Sequence, residues 1–531
     1  MALEPIWIGG RWQAESSAVG RVQSFDPRSG EPIGAPFPIS GRATLDRALD
    51  AASQAAAELT EVEPERIARF LELCAEQLES ASDALVDSAH VETRLPREPR
   101  LRQVELPRTT GQLRQAARAA RERSYRDVHI DTKNGIRSMR GPLGGGVAVF
   151  GPNNFPFAFN SVMGGDFAAA IAAGNPVIAK AHPGHLGTTL LLAQAADRAL
   201  AESGLPGATV QLIHALPNEL GLALVADPRI GASAFTGSRR AGFALKAAAE
   251  RAGKPIYLEM SAVNPLFVLP AALRERGSAI AAELATSCTL GAGQFCTKPG
   301  LSVLVAGPEA DAFVNELTSS LEKAAVGSLF GPGSAPSIAE SLGVWTAHGA
   351  ELRCGGKITG QPGFAFENTL ATVSGQKFLA HPTALQTEAF GAVHLVVIAA
   401  SADEMFAISK ALQGSLTASI YSDAGGGDDS LERRLAAVLR SRVGRLLNDK
   451  MPTGVAVSPA MNHGGPFPAT GHPGFTSVGL PASISRFTAL HCYDQVRQAR
   501  LPLELRDANP NGAMWREIDG QWTRDAVTRQ P

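Results

Sequence analysis

One cysteine of this sequence stands where a glycine-rich turn can present its thiol. The segment LGAGQFCTKP (290–299) places Cys296 after two glycines and between Phe295 and Thr297. A thiolate is a strong nucleophile at neutral pH, and the backbone N–H of the same residue can donate to a developing oxyanion. A lone cysteine is more often a small buried side chain, which is our interpretation of Cys288 upstream. Cys296 is therefore a candidate nucleophile whose role depends on its surroundings.

A glutamate stands near the end of an apolar run. Glu259 closes PIYLEM (255–260). An apolar setting raises the pKa of a carboxylic acid and leaves it able to act as a base near neutral pH. The alternative is a glutamate that becomes exposed where its strand ends. We predict a raised pKa for Glu259 and a role as general base.

Two further features could hold an anion or a hydroxyl. Lys180 ends the run PVIAK (176–180), and Thr236-Gly237-Ser238 leads from a strand into a helix. A lysine at the carboxyl end of a parallel strand faces the ligand crevice, and free N–H groups at a helix start bind anions. A lysine that extends to solvent and a simple helix cap are the alternatives. The alternating region has no G-x-G-x-x-G motif at a strand-to-helix turn.

Alternating strands and helices must position these residues. Short apolar runs from residue 146 to 260 are bounded by Gly or Pro, and helical patterns between them cover 157–173, 185–203, 218–226 and 238–252. This alternation predicts βαβ units and a parallel sheet covered on both faces, with ligands outside the carboxyl ends of its strands. A second alternating region runs from about 265 to 460. The fold class is therefore α/β.

Composition excludes several classes of partner. The chain has 531 residues, with 49 basic and 51 acidic side chains, so its net charge of -2 predicts no nucleic-acid partner. An Arg-rich helix at 100–123 is interpreted as a solvated face. No run approaches the roughly 18 apolar residues of a membrane span. Five cysteines without C-x-x-C spacing favour a reducing compartment, and we expect a cytoplasmic protein.

Six motifs occur in the order and at the spacings of the aldehyde dehydrogenase superfamily, which the chain resembles over nearly its whole length. They are PNNFPFAFN (152–160), PVIAKAH (176–182), FTGS (235–238), LEMSAVNP (258–265), GQFCTKPG (293–300) and TEAFGAV (387–393). The run at 444–479 is similar to a narrower branch, the ketoglutarate semialdehyde (2,5-dioxovalerate) dehydrogenases and their NADP-preferring fatty-aldehyde relatives.

The resemblance implies a fold of two doubly wound parallel-sheet domains plus a small β oligomerisation element. The cofactor-binding domain would comprise 1–128 and 147–264, and the catalytic domain 265–480. The oligomerisation element and tail would comprise 129–146 and 481–531. A hairpin at 127–141, with an Asn134-Gly135 turn, would pair with 484–497 and leave an edge for a second subunit. We expect a homodimer or tetramer.

The resemblance also implies a role for each matching residue. Cys296 would be the nucleophile, Glu259 the base, and Asn154 the side-chain donor to the oxyanion. His463, in NHGGP, would tune Glu259 or the thiolate, with a turn histidine satisfied by backbone carbonyls as the alternative. No metal is expected. The implied cofactor-binding residues are Asn153, Lys180, Gly237, Ser238, Glu388 and Phe390.

The cofactor is expected to be NADP or NAD, with NADP favoured. NAD-preferring relatives often carry a glutamate three residues after the lysine, where this chain has Pro183, so a carboxylate that would repel a 2′-phosphate is missing. Positive charge for the 2′-phosphate could come from His182, His185, Arg239 or Arg240.

The branch and the local residues favour different aldehydes. The branch implies 2,5-dioxovalerate as substrate, whereas the predicted tunnel residues Phe159, Val162, Phe295 and Thr297, together with Phe157, suit an alkyl or aryl aldehyde. No Arg or Lys lies between 153 and 179, so Lys298 or Arg486 would have to hold a carboxylate. A CoA-acylating relative and a catalytically silent member are further alternatives, against which the presence of Glu259, Cys296 and Asn154 argues.

Overall fold

The computed structural model describes residues 2–260 and 262–528. In chain order, the strands of this part of the chain are β1 (Ile6–Ile8), β2 (Arg11–Gln13), β3 (Ala18–Phe25), β4 (Pro32–Ser40), β5 (Val128–Asp131), β6 (Ile136–Pro142), β7 (Gly146–Phe150), β8 (Val177–Lys180), β9 (Val210–Ile213), β10 (Ile230–Gly237), β11 (Ile256–Met260), β12 (Pro265–Val268), β13 (Leu301–Val305), β14 (Glu351–Cys354), β15 (Thr369–Ser374), β16 (Val393–Ala399), β17 (Ser415–Tyr421), β18 (Val443–Asn448), β19 (Thr488–Asp494), β20 (Arg516–Ile518) and β21 (Gln521–Thr523).

The α-helices connect these strands and cover the sheets. In chain order they are α1 (Arg42–Leu59), α2 (Pro64–Ser80), α3 (Ser82–Thr93), α4 (Leu106–Glu122), α5 (Gly165–Ala172), α6 (Leu186–Ser203), α7 (Asn218–Ala226), α8 (Arg239–Arg251), α9 (Pro270–Thr289), α10 (Pro308–Lys323), α11 (Ser334–Ala347), α12 (Gly375–Ala380), α13 (Pro382–Leu385), α14 (Ala402–Ala411) and α15 (Asp429–Leu439). None of them is long and apolar enough to cross a membrane.

The first large sheet has the strand order β11-β10-β7-β8-β9-β1-β2. Its strands from β11 to β9 are parallel, and β1 and β2 extend it in antiparallel orientation. The strands are apolar on both faces because helices cover both, as the βαβ pattern predicts. The order reverses at β7, and ligands of such sheets bind outside the carboxyl ends of the strands at that point.

The second large sheet has the strand order β14-β15-β16-β13-β12-β17-β18, and all its neighbours are parallel except β14 with β15. It has its own apolar core, in which Trp345, Phe267 and Phe378 are fully buried. The two sheets correspond to the α/β fold class expected from the sequence, with antiparallel strands added at their edges.

A smaller sheet joins the middle and the end of the chain in the order β19-β6-β5-β20-β21. The predicted hairpin is formed by β5 and β6, and β19 pairs antiparallel with β6. The sequence predicts a tail without strands after residue 497. In the structure, β20 pairs parallel with β5 and antiparallel with β21. These strands are three residues long, too short to give an alternating pattern.

The helix predicted over 157–173 begins only at Gly165. Before it, Met163 has a left-handed backbone with φ 67, which interrupts a helix. The buried carboxylate of Glu105 accepts hydrogen bonds from the N–H groups of Phe157 and Ala158. These contacts hold the turns that precede α5.

The Arg-rich segment is only partly the solvated face that its composition suggests. Arg114 and Arg121 pair with glutamates of α2 at the surface. Arg100 and Arg108 point inward instead and lie over aromatic rings. The helix is broken by a kink at Glu98, where φ is -122 and ψ is 138, and α4 proper starts at Leu106.

Candidate active site

A cleft of about 640 Å³ lies between the carboxyl ends of the first sheet and the amino ends of the second. Its volume is that of a site for a small molecule or cofactor. It is lined by groups from β7, β8, β10, β11, the loop before β13 and the loop before β16, which include Asn153, Asn154, Phe155, Phe159, Lys180, Gly237, Ser238, Glu259, Cys296, Glu388 and Phe390.

The cysteine loop is built from three consecutive left-handed residues, Gly291, Ala292 and Gly293. At Gly293 a Cβ would lie 2.2 Å from the backbone of Gly391, so only glycine fits there. The loop is fixed on its other side by Asn264, whose side-chain amide donates to the Cys296 carbonyl at 2.8 Å. The thiol is thereby held at the amino edge of the second sheet, facing the first.

The Cys296 thiol lies beside a histidine and a glutamate. Its Sγ is 3.5 Å from Nε2 of His463, and Sγ, this nitrogen and a Glu259 carboxylate oxygen all lie within 4.8 Å of one another. Burial, and next the nearby Glu259 carboxylate, raise the pKa of the thiol well above its usual value. The resting thiol is therefore protonated, and a base must accept its proton.

Glu259 is buried and hydrogen-bonded at both oxygens. Nε2 of His463 lies 2.8 Å from Oε1, and the Ser477 hydroxyl donates to Oε2 at 3.0 Å. Burial alone would raise the pKa of this carboxyl group, but the charge and hydrogen bond of His463, with the Ser477 hydroxyl, lower it. The predicted raised pKa was therefore wrong, because the sequence run showed the apolar strand and not its polar partners.

Asn154 links the strand β7 side of the cleft to the cysteine loop. Its side-chain Nδ2 donates to the Gln294 carbonyl at 3.0 Å, and Gln294 in turn is fixed by Phe330 and Ser328. A primary amide carries two N–H groups, so Asn154 can hold the loop with one and donate to a ligand with the other.

The predicted cofactor residues of the first sheet lie along the cleft. Lys180 and Asn153 line it, and burial lowers the pKa of Lys180 to about 8. Gly237 and Ser238 line the same wall. The Ser238 hydroxyl accepts a hydrogen bond from the Ala241 N–H and so caps α8. A helix cap was the alternative to an anion site for this motif. It can still donate its own proton to a ligand.

Glu388 and Phe390 reach the cleft from the opposite side, on the loop between α13 and β16. Arg239 extends toward this side, where its guanidinium donates to Gln413 at 3.0 Å and interacts with Glu388. Arg240 is exposed at the start of α8.

Of the two histidines proposed as positive charges near Lys180, His182 lines the cleft and His185 does not. Burial, with the neighbouring His185 and Lys180, lowers the pKa of His182 well below its usual value, so His182 is neutral. Its Nδ1 accepts the N–H of Gly184. His185 is buried and bonds the Pro152 carbonyl and Thr189.

Of the residues predicted to form the aldehyde tunnel, Phe159 lines the cleft, and Phe295 packs beside it without lining the cleft. Phe159 and Phe295 pack with Phe155 in one apolar cluster beside Cys296, with ring centroids 5.2 Å and 5.6 Å from that of Phe155. Phe155 was not predicted as a tunnel residue although it directly follows Asn154. The cluster forms an aromatic wall next to the thiol.

Three predicted tunnel residues, Val162, Phe157 and Thr297, are buried outside the cleft lining. Val162 is fully buried in the core of the first sheet, because the chain turns before Met163 and directs it inward. Phe157 is buried in the same core. Thr297 is 1% exposed, and its hydroxyl is buried, so it packs behind the nucleophile rather than at the aldehyde mouth.

The two cations suggested for a substrate carboxylate are committed elsewhere. Lys298 is buried and donates to the carbonyls of Val393, at 2.6 Å, and Ala389. Arg486 pairs with Asp166 at 2.7 Å. Cys288 also lies outside the cleft, where burial raises the pKa of its thiol to about 12.

Comparisons with known proteins relate the whole chain to one protein family. The model of the aldehyde dehydrogenase family matches residues 12–465. A protein named alpha-ketoglutaric semialdehyde dehydrogenase 2, from Azospirillum brasilense, is 40% identical over 510 residues, which are 94% of this chain and 96% of that protein. An alpha-ketoglutaric semialdehyde dehydrogenase of Acinetobacter baylyi is 36% identical, over 92% of this chain and 93% of that one.

Solved structures share the fold at lower identity. A variant of aldehyde dehydrogenase C from Pseudomonas syringae, complexed with NAD+ and octanal, has a TM-score of 0.79 at 21% identity, over 94% of this chain and 98% of that one. 3,6-Anhydro-L-galactose dehydrogenase has a TM-score of 0.78 at 21% identity, over 92% and 99%. With the family match over residues 12–465 and relatives at 36% and 40% identity, this chain belongs to the aldehyde dehydrogenase family and is an oxidoreductase that acts on aldehydes.

Proposed function

We propose that this chain oxidises 2,5-dioxovalerate to 2-oxoglutarate with NADP or NAD, through a thioester on Cys296. The observation that carries the proposal is the cluster of Cys296, Glu259 and His463 at the inner end of a cleft lined by Lys180 and Glu388. The names of the two relatives, which match this chain over nearly its full length, support the choice of aldehyde.

The reaction begins with transfer of the thiol proton. The Glu259 carboxylate is the acceptor, and His463 holds that carboxylate in place through Nε2. The thiolate then attacks the aldehyde carbon, and the resulting oxyanion accepts hydrogen bonds from the second N–H of Asn154 and the backbone N–H of Cys296. A nicotinamide dinucleotide, when bound, supplies the hydride acceptor that turns this adduct into a thioester.

Hydrolysis of the thioester uses the same carboxylate. Once solvent has removed the first proton, Glu259 accepts a proton from a water molecule, which attacks the thioester and releases the acid. The lowered pKa of Glu259 keeps the carboxylate ionised at neutral pH, as a base requires. A buried base next to the thiol favours hydrolysis of the thioester over its transfer to CoA. A catalytically silent protein would have no use for a nucleophile and a base placed side by side.

The dinucleotide would be held by Lys180, Asn153, Gly237, Ser238, Glu388 and Phe390. Their side chains fit it, because a lysine and the start of α8 suit phosphate groups and Glu388 suits ribose hydroxyls. We favour NADP since the cleft has Pro183 where a repelling carboxylate would otherwise stand.

The open edge of β19 supports assembly into a homodimer or tetramer. Leu490 on this strand is 73% exposed, and an exposed apolar edge strand invites pairing with a second chain. All five cysteines are free thiols, which agrees with a reducing compartment, and we propose a cytoplasmic location.

Initial rates test the proposal. We expect 2,5-dioxovalerate to exceed succinic semialdehyde, hexanal, decanal and benzaldehyde in kcat/KM, and NADP to exceed NAD. Cys296→Ala should abolish formation of the reduced cofactor, whereas Cys492→Ala, at an exposed position, should not. Dehydrogenase activity that survives in Cys296→Ala would contradict the nucleophile, and a large preference for decanal would contradict the substrate.

A further inference from the structure

We propose that Arg108 binds the carboxylate of the aldehyde substrate. This inference rests on the proposed function and adds to it a residue that selects aldehydes carrying a carboxylate. Arg108 lies on α4, outside the six sequence motifs and within the Arg-rich segment that is predicted to be a solvated face.

The guanidinium of Arg108 lies against the aromatic wall of the cleft. Its central carbon is 5.0 Å from the ring centroid of Phe159 and 5.6 Å from that of Phe155. Both rings line the cleft, and their cluster contacts Cys296. A guanidinium stacked on aromatic faces keeps its edge available for planar hydrogen-bonding partners.

One donor nitrogen of Arg108 is buried without a partner. Among the described residues, Nη2 has no hydrogen-bond acceptor, and Nε donates only to the neutral side chain of Gln112 at 3.3 Å. A buried, unpaired charge is costly, so such a group calls for an anion. Arg108 borders the cleft through Phe155 and Phe159, which line it, and Nη2 is the donor that we assign to the anionic group of a ligand.

The carboxylates close to Arg108 are already committed. Glu105 pairs with Arg100 and accepts the N–H groups of Phe157 and Ala158. Glu259 is held by His463 and Ser477. Glu105 is the ion-pair partner of Arg100. Within the part of the chain that the structure describes, Arg108 therefore has no carboxylate of its own on this wall of the site.

Other cations near the thiol are less suited to a ligand. Arg445 donates to the carbonyls of Pro452 and Gly454, which occupy both its terminal nitrogens. Lys298 donates to the Val393 carbonyl, and Arg486 forms an ion pair with Asp166. The segment 153–179 contains no cation for the carboxylate of a semialdehyde, and Arg108 on α4 supplies one.

The ligand class follows from the two ends of the site. An aldehyde carbon must reach Cys296, and an anionic group must reach Arg108, across a short apolar wall. A carboxylate matches the planar edge of a guanidinium and is hydrogen-bonded strongly by it. A short aldehyde with a terminal carboxylate, such as 2,5-dioxovalerate, meets both requirements.

The test compares charged and uncharged aldehydes in Arg108→Met, Arg108→Lys and wild type. We expect Arg108→Met to lose roughly 100-fold in kcat/KM for 2,5-dioxovalerate, mainly through KM, and to change hexanal oxidation less than about threefold. Arg108→Lys keeps the charge without the fork and should lose roughly tenfold. Arg118→Met, an exposed arginine on the same helix, is the matched control and should behave as wild type.

The outcomes separate the two proposals. If wild type prefers hexanal to 2,5-dioxovalerate, the proposed substrate is wrong and the role of Arg108 falls with it. If wild type prefers 2,5-dioxovalerate and Arg108→Met keeps that preference, or loses equally on hexanal, only the role of Arg108 is contradicted. Should Arg108→Met not fold, inhibition of hexanal oxidation by glutarate decides: weaker inhibition of Arg108→Lys than of wild type supports the proposal, and equal inhibition overturns it.

Discussion

Nε2 of His463 lies 2.8 Å from Oε1 of Glu259, although the two residues are 204 positions apart in the chain. The same nitrogen is 3.5 Å from the Cys296 sulfur. One imidazole therefore contacts both the base and the nucleophile, and the turn-histidine alternative for His463 is not what the structure shows. Its effect on Glu259 is to keep the carboxylate ionised in a buried site.

Replacing Glu259 should change thiol reactivity and turnover in opposite directions. After burial, the Glu259 carboxylate is the largest cause of the raised pKa of Cys296, so Glu259→Gln should lower that pKa. We expect alkylation of Cys296 by iodoacetamide at pH 7.5 to speed up by roughly tenfold for each unit of pKa lost. Turnover should fall by about 10²–10⁴-fold because the base is missing. Unchanged alkylation would contradict the effect of the Glu259 charge on the pKa of the thiol, whereas slower alkylation would mean that proton transfer to Glu259 outweighs that effect.

Replacing His463 should shift the pH dependence. His463 lowers the pKa of Glu259, which burial alone would raise, so His463→Asn should raise it. A carboxylate base acts above its pKa, and the acid limb of the kcat/KM profile should therefore move to higher pH. His381→Asn, at an exposed histidine, is the control. An unchanged acid limb in His463→Asn would mean that this contact does not set the ionisation of Glu259.

Replacing Asn154 should affect catalysis and spare the thiol. Removing one oxyanion donor costs about 10²–10³-fold in kcat. Alkylation by iodoacetamide passes through no oxyanion, so we expect its rate in Asn154→Ala to stay within about threefold of wild type. Because Asn154 also holds Gln294, the melting temperature should be measured in parallel. Equal losses of alkylation and turnover would indicate a displaced cysteine loop instead.

Binding of NADP should weaken in alkaline solution. Burial lowers the pKa of Lys180 to about 8, so its charge is present below that pH and is lost above it. The KM for NADP should rise roughly tenfold between pH 7 and pH 9, and Lys180→Met should have a high KM that no longer varies in this range. The same rise in wild type and in Lys180→Met would assign it to another group.

Assembly should depend on the edge of β19. We expect wild type to be at least a dimer by size exclusion with light scattering, and Leu490→Arg to dissociate it, because a charge there opposes edge pairing. Leu352→Arg is the matched control, since Leu352 is 45% exposed on β14, the edge strand of the second large sheet. A monomeric wild type, or an unchanged oligomer in Leu490→Arg, would contradict this interface.

Much of the fold was accessible from the sequence because its signals are local. Apolar strands bounded by glycine and proline are visible in the run from 146 to 260, and the structure has β7 to β11 there. The strand-end positions of Lys180 and Glu259 followed from the same pattern. A strand is recognised from an alternating run of about four to eight residues, and β20 and β21 have three residues each.

The contacts that were missed are all between distant segments. Ser477 bonds Glu259 across 218 positions, and no local pattern connects them. The inward direction of Arg108 depends on Phe155 and Phe159, which follow some 50 residues later in the chain, and composition alone cannot tell it from the exposed arginines beside it. Val162 was misplaced because the predicted helix does not form at 157–164, where Met163 has a left-handed backbone, and α5 begins only at Gly165.

The strand that carries Glu259 also meets the segment that carries His463. Glu259 forms an antiparallel bridge with Thr470, and the Met260 N–H donates to the Ala469 carbonyl at 2.8 Å. The base of the first sheet and the histidine next to the second sheet are therefore aligned by backbone as well as by side chains. The reacting groups lie at a joint between the two halves of the chain, and the geometry of the chemistry depends on how those halves are docked.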